Sequence, residues 1–170
     1  MANDIQLFKV IGKTNPKEAL AQLKPLIDMM EKENIQQWGL KGRVTEEDED
    51  LDFGEGKTRP GVKLSDWCHW RDDQYNSGWL AELIASLSPR EVGRIRIMRM
   101  NGRSCYSWHK DLTPRVHIPL ITNPECFMVI RNESRHLYAG AIWWTNTTQF
   151  HTAMNCSENH RYHLILEVSE

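Results

Sequence analysis

A histidine and an aspartate spaced H-x-D, His109 and Asp111, are the residues of this chain best suited to chemistry. An imidazole nitrogen and a carboxylate oxygen at this spacing can bind one metal ion. Two histidines and one carboxylate form the ligand set of a non-haem Fe(II) site with open coordination positions. His151, in the segment QFHTAMN, is a candidate for the third ligand. A lone H-x-D also fits a polar turn between two strands, so the surrounding pattern has to decide.

The segment RVHIPL, which begins at Arg115, alternates as a β-strand does. Its alternation sends Val116, Ile118 and Leu120 to one face and Arg115 and His117 to the other. If both faces are buried between packed sheets, Arg115 and His117 face the same interior as the metal. A buried arginine is costly without an anion, so it needs a carboxylate partner or ligand. A surface strand with a solvated polar face is the alternative.

The segment RYHLILEV near the end of the chain repeats this pattern. Arg161, His163 and Ile165 share one face of the predicted strand, and the residues between them share the other. A bend after His151 followed by a returning strand would bring Arg161 alongside the metal. The planar guanidinium matches a carboxylate with two hydrogen bonds, so Arg161 suits a dicarboxylic cosubstrate.

The chain around these segments divides into a helical and irregular first part, residues 1–91, and a β-rich part, residues 92–170, within one domain. We expect a short strand at 5–11, a helix from Asn15-Pro16 to about Lys32, and a second helix at 79–87. The acidic segment 45–57 predicts a solvated loop. From Val92 onward, short β-prone runs separated by turn residues favour a sandwich or barrel.

Composition excludes several classes of protein. The chain has 170 residues and a net charge of −2, so the basic excess of a nucleic-acid-binding protein is missing. No apolar run approaches the roughly 18 residues of a membrane span, and the N-terminus lacks the apolar region of a secretory signal. The four cysteines are scattered without zinc-finger or disulfide spacing. We therefore expect a soluble cytoplasmic protein with free thiols.

Five ordered motifs resemble those of the 2-oxoglutarate- and Fe(II)-dependent oxygenases of the aspartyl/asparaginyl β-hydroxylase family, including its small proline-hydroxylase-like members. The resemblance covers roughly residues 94–168. The motifs are Y-x-x-H-x-D at 106–111, R-V-H-I-P-L at 115–120, A-G-x-I-W at 139–143, H-x-A-x-N at 151–155 and R-Y-H-L at 161–164.

The resemblance implies a ligand set and a fold. It implies that His109, Asp111 and His151 bind iron, and that Arg161 holds the distal carboxylate of 2-oxoglutarate with help from Arg115 and His117. The implied fold is mainly β, a double-stranded β-helix (a jelly-roll, cupin-like barrel) with N-terminal helices packed outside. The implied reaction uses O₂ and converts 2-oxoglutarate to succinate and CO₂ while a substrate C–H is hydroxylated.

The substrate implied by the resemblance is a free amino acid or a residue in a peptide, of aspartyl/asparaginyl or prolyl type. Tyr106, Trp108 and Trp143 are candidate substrate contacts. Trp143 and Trp144 are neighbours on a strand and face opposite sides, so at most one of them lines the site. Core packing is the competing role for each of these aromatic residues.

Two other functions compete with an enzyme. A cupin-like barrel without oxygenase activity could serve as a metal-binding or sensing module, because His and Asp ligands also suit zinc, nickel or manganese. Two inward arginines beside the metal favour the oxygenase, since a purely structural metal site has no use for them. The third alternative is a structural jelly roll whose histidines are incidental.

Overall fold

The structure is a computed structural model that describes residues 5–44, 51–53 and 59–170. The predicted acidic loop at 45–57 lies outside the described residues except for 51–53.

The described residues form two α-helices and a larger number of β-strands. The helices are α1 (Pro16–Lys32) and α2 (Gly78–Ser86). The strands are β1 (Phe8–Lys13), β2 (Gln37–Gly39), β3 (Lys41–Val44), β4 (Leu51–Asp52), β5 (His69–Trp70), β6 (Val92–Met100), β7 (Ser104–Cys105), β8 (Arg115–Ile121), β9 (Cys126–Ile130), β10 (Glu133–Arg135), β11 (Ala141–Thr145), β12 (His151–Asn155) and β13 (Arg161–Val168).

Two antiparallel sheets form the barrel. The larger has six strands in the order β1-β11-β8-β13-β6-β2, and the smaller has four in the order β10-β9-β12-β7. From β8 onward the chain alternates between them, with β8, β11 and β13 in the larger sheet and β9, β10 and β12 in the smaller. Met128 and Ile130 of the smaller sheet share a buried cluster with Phe8 and Trp143 of the larger. This is the predicted double-stranded β-helix.

Helix α1 begins and ends as its sequence predicts. The Asn15 side chain accepts a hydrogen bond from the backbone N–H of Lys17, and Pro16 occupies the first turn, where its missing N–H costs nothing. The apolar face of α1 includes the buried Leu23 and Ile27. No helix in the described part of the chain is long and apolar enough to cross a membrane.

The two faces of the larger sheet differ in chemistry. On β8 and β13, Val116, Ile118, Leu164 and Leu166 belong to the main hydrophobic core together with residues of α1 and α2. The helices therefore cover the outer, apolar face, as predicted. The alternate residues of both strands are also buried but include charged and imidazole side chains such as Arg115. The inward direction of Arg115 and His117 was predicted on the condition that both faces of β8 are buried, and the structure confirms this burial.

The first part of the chain contains more strand than the helical and irregular structure predicted for residues 1–91. The predicted first strand is present as β1, which pairs with β11 at one edge of the larger sheet, while β2 pairs with β6 at the other. Strands β3, β4 and β5 form a separate small sheet. These strands are only two to four residues long, too short for a period-2 pattern to identify them.

Candidate active site

His109, Asp111 and His151 come together at one end of the smaller sheet. Their candidate ligand atoms all lie within 4.8 Å of one another. The segment after β7 forms an antiparallel bridge with the start of β12, in which His109 and His151 exchange backbone hydrogen bonds of 3.1 and 2.9 Å. The backbone N–H of Asp111 donates to the Thr147 carbonyl at 2.9 Å. Backbone pairing thus fixes all three residues independently of any ligand.

Each of the two histidines is oriented through its Nδ1 atom. Nδ1 of His109 lies 2.8 Å from the Ser107 carbonyl oxygen, and Nδ1 of His151 lies 2.9 Å from that of Gln149. A carbonyl only accepts, so a neutral ring carries its proton on Nδ1 and keeps the Nε2 lone pair for a metal. Burial lowers the pKa of His151, which favours this neutral form. Nε2 of His151 lies 3.6 Å from an Asp111 oxygen.

Arg115 lies between two carboxylates. Its Nε donates to Oδ2 of Asp111 at 3.1 Å, and its Nη1 lies 2.5 Å from Oε1 of Glu167. Glu167 also pairs with the fully buried Arg94 at 2.8 Å. Burial alone would raise the pKa of Asp111, but the Arg115 guanidinium holds it below its ordinary value. Arg115 therefore keeps Asp111 ionised and oriented, and its predicted contact with the cosubstrate stays a prediction.

A cavity of about 260 Å³ opens beside these three residues. Both sheets contribute to its wall, which combines polar groups with the apolar side chains of Met98, Met128, Ala153 and Ile165. Its polar lining residues are Gln37, Arg96, Tyr106, Ser107, His109, Asp111, Arg115, His117, Thr147, His151 and Arg161.

Arg161 is buried in the wall of this cavity, with 3% of its surface exposed. Its Nε has no hydrogen-bond partner, and no ion pair joins it to another described residue. Burial lowers the pKa of Arg161, since a guanidinium removed from water is costly. A buried cation without an anion indicates a site for an anionic ligand.

His117 and His163 form a buried pair beside Arg161. Their Nδ1 atoms lie 3.5 Å apart, and both Nε2 atoms are buried without a hydrogen-bond partner among the described residues. Burial, reinforced by the nearby Arg161 charge, lowers the pKa of each well below its ordinary value, so both rings are neutral. His117 lines the cavity and can present its Nε2 to a ligand there.

The three aromatic residues predicted as substrate contacts lie in different environments. Tyr106 lines the cavity, and burial raises the pKa of its hydroxyl, which stays protonated. Trp108 is exposed, and Trp143 packs in the second hydrophobic cluster. Neither lines this cavity, so their contact with substrate stays a prediction. Trp144 packs against the main core on the opposite face from Trp143, as strand alternation predicted.

The sequence reasoning missed four polar residues in or beside the site. Arg94 and Arg96 alternate on β6 as Arg115 and His117 do on β8, and the same period-2 argument applied to GRIRIMRM would have placed Arg96 inside. Glu167 shares the inner face of β13 with Arg161 by the same argument. Gln37 enters from the distant β2 and carries no signal in the sequence.

The donor set fits a divalent metal with open coordination positions. Two imidazoles, each with its Nδ1 at a backbone carbonyl, and one carboxylate suit Fe(II), and all three residues line the cavity. The partnerless Nε2 of His117 and Nε of Arg161 lie in the same wall and fit a carboxylate ligand.

Comparisons with known proteins agree with this geometry. A family model described as aspartyl/asparaginyl beta-hydroxylase matches residues 75–170. AviO1 from Streptomyces viridochromogenes Tue57 superposes with a TM-score of 0.57 at 16% identity, covering 96% of this chain and 90% of its own. The viral collagen prolyl hydroxylase vCPH from Paramecium Bursaria Chlorella virus-1, solved with 2-oxoglutarate, gives 0.53 at 9% identity, covering 99% and 98%. At these identities the likeness shows a shared fold.

Proposed function

The chain belongs to the aspartyl/asparaginyl beta-hydroxylase family, and on that basis we propose that His109, Asp111 and His151 hold the Fe(II) with which it hydroxylates a substrate C–H bond. As a member of this family, the protein is a 2-oxoglutarate-dependent hydroxylase. The substrate is an amino acid or a peptidyl residue. Iron bound at these residues, together with 2-oxoglutarate and O₂, would supply the oxidising chemistry.

The observation that carries this proposal is Arg161. A metal-storing or sensing barrel needs the three ligands but gains nothing from a buried arginine in the wall of the same cavity. Arg161 is buried and lines that cavity, and its Nε has no hydrogen-bond partner among the described residues. A dicarboxylate with one end at the metal and the other at Arg161 compensates this charge.

His117 complements Arg161 in binding the cosubstrate. If Nδ1 of His163 donates to Nδ1 of His117, the proton of His117 resides on Nε2, which then donates into the cavity. Both rings are neutral because burial depresses their pKa values, so the pair adds a donor without adding charge. His163 thus selects the tautomer of His117.

The remaining wall residues exclude water and hold the carboxylate ligand. Met128, Ala153 and Ile165 place apolar surface around the polar groups, which strengthens the electrostatic interactions inside the cavity. Arg115 keeps Asp111 in its ionised form through the 3.1 Å hydrogen bond.

Anaerobic titration of the metal-free protein with Fe(II) and 2-oxoglutarate tests the proposal. We expect the weak visible charge-transfer band of the iron chelate in the wild type and its loss in His151→Ala. A screen of amino acids and peptides for succinate release then identifies substrates. If iron binds without the band, the cosubstrate site is wrong and the metal-binding module becomes the better description.

A further inference from the structure

Exposed apolar side chains gather around the candidate metal residues. The described part of the chain has eight exposed large hydrophobic residues, and Trp108, Leu112 and Phe150 are three of them. Each is the direct chain neighbour of a candidate metal residue and has more than half of its surface exposed. Nζ of Lys110 lies 4.7 Å from the centre of the Phe150 ring, which adds the apolar stem of Lys110 to the group. We call these four residues the outer patch, and such a group marks a surface that a partner covers.

The outer patch lies on the opposite face of the chain from the candidate metal residues. His109 and Asp111 line the cavity, whereas the residues before, between and after them are exposed, as in an extended strand. The backbone bridge between His109 and His151 aligns Lys110 with Phe150 on the outer face of the pair. Residues 108–112 therefore carry two candidate ligands on one face and most of the outer patch on the other.

Residues 108–112 also form an open edge of the smaller sheet. Strand β7 is the edge strand of that sheet, and the bridge to β12 continues the edge past it. The backbone N–H groups of His109 and Asp111 donate to the carbonyls of His151 and Thr147. Backbone groups alternate in direction along an extended strand, so those of the three exposed residues point away from β12. In the described part of the chain, none of these three forms a backbone hydrogen bond.

An open edge beside an apolar surface fits one kind of partner. An apolar small molecule would cover the side chains of the outer patch but leave the N–H and C=O groups of the edge to water. An extended polypeptide supplies both, because its backbone pairs with the edge and its alternate side chains cover the patch. The strand pairs of both barrel sheets are antiparallel. We propose that an extended segment of a partner polypeptide binds this edge as an added antiparallel strand.

The added strand has a defined pattern of side chains. A residue opposite His109 faces inward, toward the cavity, and its two neighbours lie opposite Trp108 and Lys110 on the outer face. These neighbours form the hydrogen bonds to the edge and pack on the outer patch, so they are apolar. The recognised motif is therefore apolar-X-apolar. That X is also the residue hydroxylated at the metal rests on the proposed function.

Fluorescence anisotropy with labelled peptides tests the docking surface without relying on turnover. The probes are capped peptides of sequence KTVXVTK, with asparagine, aspartate or proline as X, and the matched peptides KTSXSTK. Each is titrated with the metal-free protein and with the anaerobic Fe(II)·2-oxoglutarate protein. We expect the valine peptides to bind at least about 10-fold more tightly than the serine peptides, because two apolar side chains are buried on the outer patch.

Backbone methylation of the peptide separates strand addition from apolar contact alone. N-methylation of the two valines removes the N–H groups that donate to the edge, so it should weaken binding at least about 10-fold. N-methylation of the two threonines is the matched control, because their N–H groups point away from the edge. It should leave the affinity within threefold of the parent peptide.

Two variants locate the surface on the protein. Trp108→Ser and Phe150→Ser should each weaken binding of the valine peptides about 10-fold or more, because each removes a large apolar contact. Val44→Ser is the control, since Val44 is also exposed but lies in the separate small sheet of β3, β4 and β5. Unchanged Tm and Fe(II) affinity show that the variants are folded.

The outcomes separate the docking surface from the proposed function. If valine and serine peptides bind equally, or none binds with a Kd below about 1 mM, the docking inference is wrong whether or not the charge-transfer band forms. If peptides with methylated valines bind as the parent does, strand addition is wrong. If the protein sediments as a dimer that Trp108→Ser converts to a monomer, a second copy occupies the edge and the inference is overturned. If the peptides bind as expected but no charge-transfer band forms, the proposed function fails and the docking surface stands.

Discussion

Replacing Arg161 with methionine should stabilise the ligand-free protein. Most arginines that are removed from water are paired, and their loss destabilises a fold. Arg161 is 3% exposed and its Nε has no hydrogen-bond partner among the described residues, so the ligand-free protein bears the cost of burying its charge. Methionine has a similar length and no charge. We expect Arg161→Met to raise the free energy of unfolding by about 1–4 kcal/mol, or about 2–4 °C in Tm for each kcal/mol.

The same substitution should remove most of the affinity for 2-oxoglutarate. Losing one partner of a buried, hydrogen-bonded charge pair costs about 2–5 kcal/mol, which corresponds to about 30-fold to several thousand-fold in Kd. Fe(II) affinity should change little, because His109, Asp111 and His151 are held by backbone pairing rather than by Arg161. Thermal melting without ligand and anaerobic titration of the iron chelate measure the two effects separately.

Arg99 supplies a matched control. It is also a buried arginine of the larger sheet, 5% exposed, but it donates to Oδ1 of Asn34 at 3.0 Å and contacts Nε2 of His160 at 3.2 Å. Arg99→Met should therefore lower Tm and leave 2-oxoglutarate affinity unchanged. If Arg161→Met lowers Tm as much as Arg99→Met, or binds 2-oxoglutarate within threefold of the wild type, the reasoning about Arg161 is refuted.

Three further predictions test the neighbouring residues. Asp111→Ala should abolish succinate release and weaken Fe(II) binding in a titration; turnover at the wild-type rate would contradict its role as a ligand. Glu167→Gln leaves the charge of buried arginines uncompensated, so the free energy of unfolding should fall by about 3–5 kcal/mol. It also loosens the hold of Arg115 on Asp111, so the Kd for the metal should rise about 10- to 100-fold. A metal affinity within threefold of the wild type would count against this link. Folding depresses the pKa of His117 and His163 below 6.5, so the unfolded chain takes up more protons than the folded protein as the pH falls. Below pH 6.5 the free energy of unfolding should therefore fall by about 1.4 kcal/mol per pH unit for each histidine. His163→Gln should roughly halve that slope in denaturation at pH 5–7, and an unchanged slope would exclude His163 as a source.

Most of the barrel and its candidate metal residues could be predicted from the sequence because they follow from strand periodicity and ordered motifs. On β8 and β13 the alternation of apolar with polar residues correctly separated the core face from the face that carries Arg115, His117 and Arg161. The bridge between His109 and His151 could not be read from the chain, since it depends on pairing across 42 positions (151 − 109).

The sequence does not reveal which group pairs with a buried charged side chain. Alternation places Arg115 inside but cannot say whether its anion is a ligand or a residue, and the structure supplies Asp111 and Glu167. Short strands are a second gap: β2 has three residues, yet it brings Gln37 beside Arg96. Such contacts depend on tertiary packing, which local patterns do not encode.

Strand β13 shows why fold and site are difficult to separate in this protein. All eight of its residues are buried. Tyr162, Leu164 and Leu166 pack in the main core, while Arg161 lines the cavity and Glu167 pairs with Arg115. The strand thus places the arginine proposed to bind the cosubstrate six positions (167 − 161) from the carboxylate that supports Arg115 and, through it, Asp111. Because alternation on a strand is fixed, a one-residue slip would turn the apolar side chains toward the cavity and both charged groups into the main core, so the packing that stabilises the barrel also sets the register of the site.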